Sequence, residues 1–528
     1  MTRRLIALVV VYAWIAGCGG RASGPANPIP QLPAAPHAPS RDGNVNELPE
    51  PPVVHAVNGV AKFSLIANID PATGLPSFQY NYQHGVAPTI DINPGESFEI
   101  ELTDNLPAST GMASYANLHF HGLTVSPGGH SDNVLGLLAK PGQRLHYVVH
   151  VPKNQGPGLY WYHMHVHGET SYQVGEGGMS GAIVIEGLTR HLPELAKMKQ
   201  RLIIVRATGI GQNLPVQHDD MSGMSDMSGR PAAPVRPQFS NTQPCTFKDG
   251  LTVTLNGAYR PVITIAPGEK QFFRVVNATG HKTLRLKVDG EKVEVVAIDG
   301  FALDSYPGTP PTRTQSDVII PPAGRAEFVV TGPASGRAKF HTLCYNTGPN
   351  GDGDPHIWLA ELVAPKQHND GGDFSARPLS VGEPLPANVY TTALPAPVAK
   401  RLVVLSEDAK PKFFINGKSF NIHSPPMFVV HTGTVEEWRV VNVTYEIHDF
   451  HIHQIHFLVE SINGVKQEHP HWADSIIVPH RSVGKQGVPG SVVLLMDFRD
   501  PIIRGEFLFH CHILDHEDQG MMAKIEAI

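Results

Sequence analysis

One segment occurs three times in this chain, as PGESFEIELTDNL at Pro94–Leu106, PGEKQFFRVVNAT at Pro267–Thr279 and TGTVEEWRVVNVT at Thr432–Thr444. Each copy is a glycine turn, an alternating stretch and a polar stop, and a repeat at this spacing implies three copies of one folding unit. In the first copy Phe98, Ile100 and Leu102 alternate with Glu99 and Glu101, and Leu145, Tyr147, Val149 and Val151 repeat the same period of two. That period is the mark of a half-buried strand. With 51 Gly, 47 Pro and few helical patterns, the chain is expected to be all-β and built of sandwich domains. At 528 residues it is too long for a single core, and the expected domains are residues 53–190, 197–366 and 385–528.

The residues able to carry chemistry gather at four places. Asn117–Gly122 reads NLHFHG, Trp161–His167 reads WYHMHVH, Ile447–His456 reads IHDFHIHQIH and Phe507–Met522 reads FLFHCHILDHEDQGMM. On a strand, two histidines separated by one residue share a face, whereas Cys511 faces away from His510 and His512. One strand can therefore join two metal sites. A thiolate with two imidazoles and a distant thioether is the donor set of a blue electron-transfer copper. Cys511, His516 and Met521 offer three of its members, and the histidine cluster at Ile447–His456 supplies the fourth. A lone H-x-H pair is more often a surface or core feature than a ligand. Four such clusters with a cysteine embedded in one are not read that way.

These motifs, H-x-H-G, H-x-H, H-x-x-H-x-H and H-C-H-x-x-x-H-x-x-x-x-M, occur in the order found in the multicopper oxidase family, and the resemblance extends over nearly the whole chain after its N-terminal leader. It implies three cupredoxin-like Greek-key domains and four copper ions. Carried over residue by residue, it assigns a type 1 copper to His448, Cys511 and His516 with Met521 as weak axial ligand, and a type 2 copper to His119 and His451. The binuclear type 3 pair falls to His121, His163, His165, His453, His510 and His512. The implied reaction is one-electron oxidation of phenols or similar small reductants at type 1 copper, coupled to four-electron reduction of O2 to water at the trinuclear cluster. Because that reduction consumes protons, Asp132 and Glu517 are expected as acids near the cluster. The resemblance also places the reductant pocket in variable loops around an exposed histidine of the type 1 site. One departure is visible: Gln454 stands where many members have glycine, which bears on local backbone shape and leaves every ligand in place.

The middle copy differs from its neighbours. Where the others continue into NLHFHG and EIHDFHIHQ it continues GHKTLRLKVDG, and GRAKFHTLCYNTG stands against GEFLFHCHILDH. It carries no copper set and is expected to hold the outer units together. Its Cys245 and Cys344 form either a disulfide or two buried free thiols. At the N-terminus, Arg3 and Arg4 precede an apolar run from Leu5 to Ala16 that ends at Cys18. The run is too short to span a bilayer and resembles a bacterial lipoprotein signal in which Cys18 takes the lipid. A Pro-rich stretch at residues 19–52 is expected to be a tether. The protein is thus expected as a monomeric, exported lipoprotein of the periplasm or cell surface of a bacterium. A net charge of −7 without a basic block excludes nucleic acid as a partner.

Two other functions are compatible with the same motifs. Met221, Met224 and Met227, in HDDMSGMSDMS, either dock Cu(I), making the chain a cuprous or metal-ion oxidase, or belong to an incidental Gly/Ser surface loop. A non-catalytic copper-binding scaffold would have lost ligands, and this chain retains them all.

Overall fold

The three copies of the repeat fold as the strands Ser97–Asp104, Lys270–Asn277 and Thr434–Asn442. Each lies parallel to an earlier strand, Val60–Ile69, Lys199–Gly209 and Ala399–Glu407 respectively. Each is also antiparallel to a later one, Arg144–His150, Arg325–Thr331 and Gly490–Phe498. A parallel neighbour cannot be reached by a tight hairpin, so the chain must cross between sheets, as it does in a Greek-key sandwich. The computed structural model describes residues 46–109, 112–209, 251–365, 393–408, 412–484 and 486–528, which lie within one compact unit, Gly43–Ile528. The leader with Cys18, most of the Pro-rich stretch, Cys245 and the segment of Met221, Met224 and Met227 lie outside the described residues. Cys344 is disulfide-bonded.

Six sheets are formed among the described residues, two with each copy of the repeat. Each pair encloses its own apolar cluster, centred on Phe98 and Trp161, on Phe273 and Phe328, and on Trp438 and Phe509. Burial of each such side chain stabilises by about 2 kcal/mol. The first and third copies bury alternate residues, Phe98, Ile100 and Leu102 in one and Trp438 and Val440 in the other. The middle copy is buried on both faces from Gln271 to Asn277. Phe273 and Val275 face their own core, while Phe272 packs with Leu188, Leu192 and Leu195 of the preceding short helices. That second covered face explains why FFRVVN lacks a clean alternation.

The end of the Pro-rich stretch is not a free tether. Leu48 is buried in the middle core and its amide donates to Val262 O at 2.8 Å. The Glu47 carboxylate accepts from Thr264 Oγ1 at 2.6 Å and pairs with Arg201 at 3.3 Å. An apolar anchor beside a paired carboxylate fastens these residues to the sandwich.

Strand register then sets the site. His119–His121 runs antiparallel to Gly158–His163 with His119 opposite His163. Gly505–Cys511 runs antiparallel to His448–Ile452, placing Cys511 opposite Phe450 and His510 opposite His451.

Candidate metal centre

Cys511, His448 and His516 come together in the core of the third sandwich, all fully buried. Cys511 Sγ lies 3.7 Å from Nδ1 of each histidine, and the two Nδ1 atoms are 3.0 Å apart. A point equidistant from the three donors is about 2 Å from each, the bond length of a first-row transition ion to nitrogen or sulfur. Thr444 Oγ1 has two oxygen acceptors for its one hydrogen, Asn442 Oδ1 at 2.8 Å and Glu446 O at 3.0 Å, so at 3.0 Å from His448 Nε2 it accepts. His448 therefore carries its proton on Nε2 and turns a lone pair on Nδ1 towards the sulfur. The Asp449 amide donates to Sγ at 3.4 Å. Burial by itself pushes the Cys511 thiol well above its ordinary range. A cation among the three donors reverses that, since a coordinating thiol loses its proton. Met521 is buried alongside, its carbonyl accepting from the Cys511 amide at 3.0 Å. The expectation of an exposed histidine here is corrected: His516 is 0% exposed. Phe413 stacks on its ring with centroids 4.1 Å apart, and Glu446 lies 3.6 Å from its Nε2.

The other eight histidines converge between the first and third sandwiches. Donor atoms of His121, His163 and His512 lie within 4.8 Å of one another, as do those of His165, His453 and His510, and those of His119, His121 and His451. Several tautomers can be read from their outer partners, because a carbonyl or carboxylate oxygen only accepts. Nδ1 of His163 donates to Met164 O at 2.7 Å, Nδ1 of His451 to Asp474 O at 2.8 Å, and Nδ1 of His510 to Cys511 O at 3.1 Å. Each ring is left with a lone pair on Nε2. His453 Nε2 and His165 Nε2 face His510 Nε2 at 3.2 and 3.4 Å.

The residues fit a metal. Nε2 of His119, His163 and His451, Nδ1 of His121 and both ring nitrogens of His512 are buried without a hydrogen-bond partner among the described residues. Each such orphan costs about 1–3 kcal/mol, and cations among them would satisfy one nitrogen of each ring, the one that carries the lone pair. Burial lowers these rings, His121 to about 3 and His163 to about 4, with His119, His165, His451, His453 and His512 held well below the ordinary imidazole range. Neutral imidazole is the form that ligates.

Four outer groups orient this cluster, and two of them were expected. Both Asp132 oxygens lie within hydrogen-bond reach of His119 Nδ1, at 3.0 and 2.9 Å. Asp132 Oδ1 also accepts from the Phe120 amide at 2.9 Å. Burial raises the Asp132 carboxyl to about 7. Glu517 lies 3.2 Å from His510 Nδ1 and 3.6 Å from His165 Nε2. Burial opposes its charge, but His510 and His165 outweigh that and bring it to about 2.

Of the other two, the sequence marks Gln454 only for its bearing on backbone shape and does not mark Asp474. Gln454 donates through Nε2 to Asp132 Oδ2 from a backbone with φ of 59°, the left-handed region that favours glycine. That is the physical content of the glycine-to-glutamine departure: the side chain spans to the first sandwich while the backbone keeps glycine's shape. Asp474 accepts from His121 Nε2 at 3.0 Å and is gripped by Arg325 at 2.6 and 2.5 Å. Burial works against its charge, but Arg325 and His121 prevail and hold the carboxyl well below the usual range. A lone aspartate in HWADSII and a lone arginine in AGRAEF carry no spacing that could have revealed the pair.

Models of the multicopper oxidase family match residues 70–189, 218–356 and 393–527, together about three quarters of the chain. A multicopper oxidase of Staphylococcus epidermidis is 25% identical over 452 residues, covering 84% of this chain and 82% of that one. A laccase of Bacillus subtilis is 25% identical over 411 residues, 72% of each. Among solved structures, a multicopper oxidase from Campylobacter jejuni, described as a metallo-oxidase, superposes with a TM-score of 0.68 at 22% identity. That match covers 92% of this chain and 96% of the other, and it shows a shared cupredoxin-like fold.

Proposed function

The chain belongs to the multicopper oxidase family and is an oxidoreductase that uses oxygen, and from that premise we propose that it oxidises phenols or related small reductants one electron at a time and reduces O2 to water. The observation that carries this reading is the single strand on which Cys511 belongs to one donor set while its neighbours His510 and His512 belong to the other. The His510 ring also donates to the Cys511 carbonyl. Bonds through one peptide thus join the place where electrons enter to the place where they are spent. Four copper ions, one held by His448, Cys511 and His516 with Met521 beside them and three held by the eight histidines, would supply one-electron transfer and the binding of oxygen.

The chain's own residues set the terms of that chemistry. Phe413 and Glu446 cover His516 and are themselves buried, so a reductant delivers its electron from the surface outside this layer without touching the imidazole. Asp132 and Glu517 stand beside cluster histidines, and a carboxyl near 7 at Asp132 suits a group that holds and gives up a proton near neutral pH. Sandwich division at residues 53–190, 197–366 and 385–528, a monomeric state, and export as a lipoprotein anchored through Cys18 at a bacterial periplasmic or cell surface complete the proposal.

The test is an absorption spectrum and copper count of the copper-loaded protein, followed by oxygen uptake with a phenol and, separately, with Cu(I). An intense band near 600 nm from a thiolate-copper centre, about four coppers per chain and uptake with the phenol are expected. Bound copper without the band would remove Cys511 from the site and sink the oxidase reading. Uptake with Cu(I) alone, lost on deleting Met221–Met227, would replace phenols by cuprous ion as the reductant.

A further inference from the structure

Arg325 belongs to the middle sandwich, which holds no metal-donor set among the described residues, yet its guanidinium reaches Asp474 beside the histidine cluster. It is fully buried and grips Asp474 with both arms, Nη1 to Oδ1 at 2.6 Å and Nη2 to Oδ2 at 2.5 Å. Its Nε donates to Leu159 O at 3.2 Å, and its backbone amide donates to Asp299 Oδ1 at 2.8 Å. Asp299 in turn accepts from the Asp474 amide at 3.3 Å. Two carboxylates and one guanidinium thus fix one another across the middle and third sandwiches.

The far side of Asp474 faces the cluster. Its Oδ1 accepts from His121 Nε2 at 3.0 Å and from Ser475 Oγ at 3.1 Å. Because Nε2 carries the hydrogen, His121 offers Nδ1 to the cluster, and Nδ1 is the nitrogen left without a hydrogen-bond partner. His119, held from Nδ1 by Asp132, offers Nε2 instead. Two histidines of one H-x-H motif are therefore turned opposite ways by different carboxylates.

Gly122, which closes that motif, supplies a second, independent observation. A Cβ there would lie 2.5 Å from Arg325 Nη2 and 2.6 Å from Asp474 Oδ2, and its φ is +84°. The glycine leaves room for the fork.

We infer that Arg325, acting through Asp474, is a positioning residue that holds His121 with Nδ1 towards the copper cluster, so that the middle sandwich is a working part of the metal centre. This rests on the oxidase reading for His121 as a ligand. Arg is suited to the task because its planar fork matches both carboxylate oxygens, which Lys cannot do.

The experiment compares wild type, Arg325→Met and Arg325→Lys as copper-loaded full chains, by copper per chain, cupric EPR, absorbance near 600 nm and competition with a copper chelator. Arg325→Met is expected to keep the 600 nm band and to hold copper in the histidine cluster about 10–100-fold more weakly, the usual effect of losing an outer partner of a metal ligand. Arg325→Lys is expected to fall between. Wild-type copper content, EPR and chelator resistance in Arg325→Met would overturn the inference even if thermal stability fell, since that pattern means a structural role alone. Should Arg325→Met fail to fold, Asp474→Asn, which keeps size and shape, decides in the same way: an altered cluster EPR signal with an intact blue band supports it, and unchanged signals overturn it. A wild-type chain that takes up copper only at Cys511 overturns both this inference and the oxidase reading, and shows itself before any variant is compared.

Discussion

The middle and third sandwiches have the same strand order in both sheets, yet among the described residues the third contributes metal-donor sets and the middle one contributes none. In both, the strand of the repeat ends on an asparagine that staples the next turn. Asn442 Nδ2 donates to Glu446 O at 2.7 Å and Val478 O at 3.3 Å, and Asn277 Nδ2 donates to Lys282 O at 2.7 Å and Ile320 O at 3.0 Å. Thr444 and Thr279 each donate to their asparagine at 2.8 Å. The Asp449 amide donates to Cys511 Sγ, and the Arg285 amide donates to Thr342 Oγ1 at 2.9 Å. His510 stands opposite His451, and His341 stands opposite Lys287. Leu284, opposite Ile320, fills the place that His448 takes opposite Val478. The frame tolerates either occupant, so the chemistry resides in which side chains hang from it.

The largest effect should come from giving the third sandwich the middle one's residue. Cys511→Thr is expected to abolish the 600 nm band and lower reductant oxidation about a thousandfold or more, with circular dichroism unchanged because threonine can accept the same amide hydrogen bond. Loss of the fold would break the equivalence of the two frames. Asp132→Asn comes next: oxygen uptake at saturating reductant falls about 10–100-fold while the blue band stays, and unchanged turnover would remove Asp132 from the mechanism.

A paired test touches the frame itself. Asn442→Ala and Asn277→Ala should each destabilise by about 3 kcal/mol, from buried groups left unpaired, in thermal or denaturant unfolding. Only Asn442→Ala should also weaken the 600 nm band, because it frees Thr444 from its fixed role beneath His448; equal spectra for the two variants would contradict that division. The smallest effect is expected at Gln454. Glycine there relieves about 1 kcal/mol of left-handed strain but loses a hydrogen bond to a buried carboxylate of about 1.5–3 kcal/mol. Gln454→Gly should therefore cost roughly 1 kcal/mol net, with a modest fall in oxygen uptake; higher stability with wild-type uptake would show that the contact to Asp132 contributes nothing.

The sequence declares its donors because strand geometry converts spacing directly into a shared face. His119 and His121 are paired by that rule on one strand, whereas His165 and His512 lie just past the strands that end at His163 and Cys511; the structure nonetheless brings all three pairs to the cluster. Asp474 and Arg325 obey no such rule: they meet through the packing of two sandwiches, and nothing local marks either one. The burial of His516 is not legible locally for a related reason, since Phe413 reaches it from the distant strand Phe413–Ile415. The repeats located the central strands, but the middle copy's second covered face depended on helices that its own residues do not announce.

His121 finds Asp474 across 353 positions of the chain. Closing so long a span carries a loop entropy that must be met before the contact rewards the chain. A ribosome would have released the first set of imidazoles well before making their counterparts, and neutral ring nitrogens waiting in an unfinished protein bind metal only loosely. Copper held by the eight-histidine set would thus double as a check on tertiary assembly: a chain whose first and third sandwiches are misdocked splits that donor set, whereas the set of His448, Cys511 and His516 needs only the third sandwich.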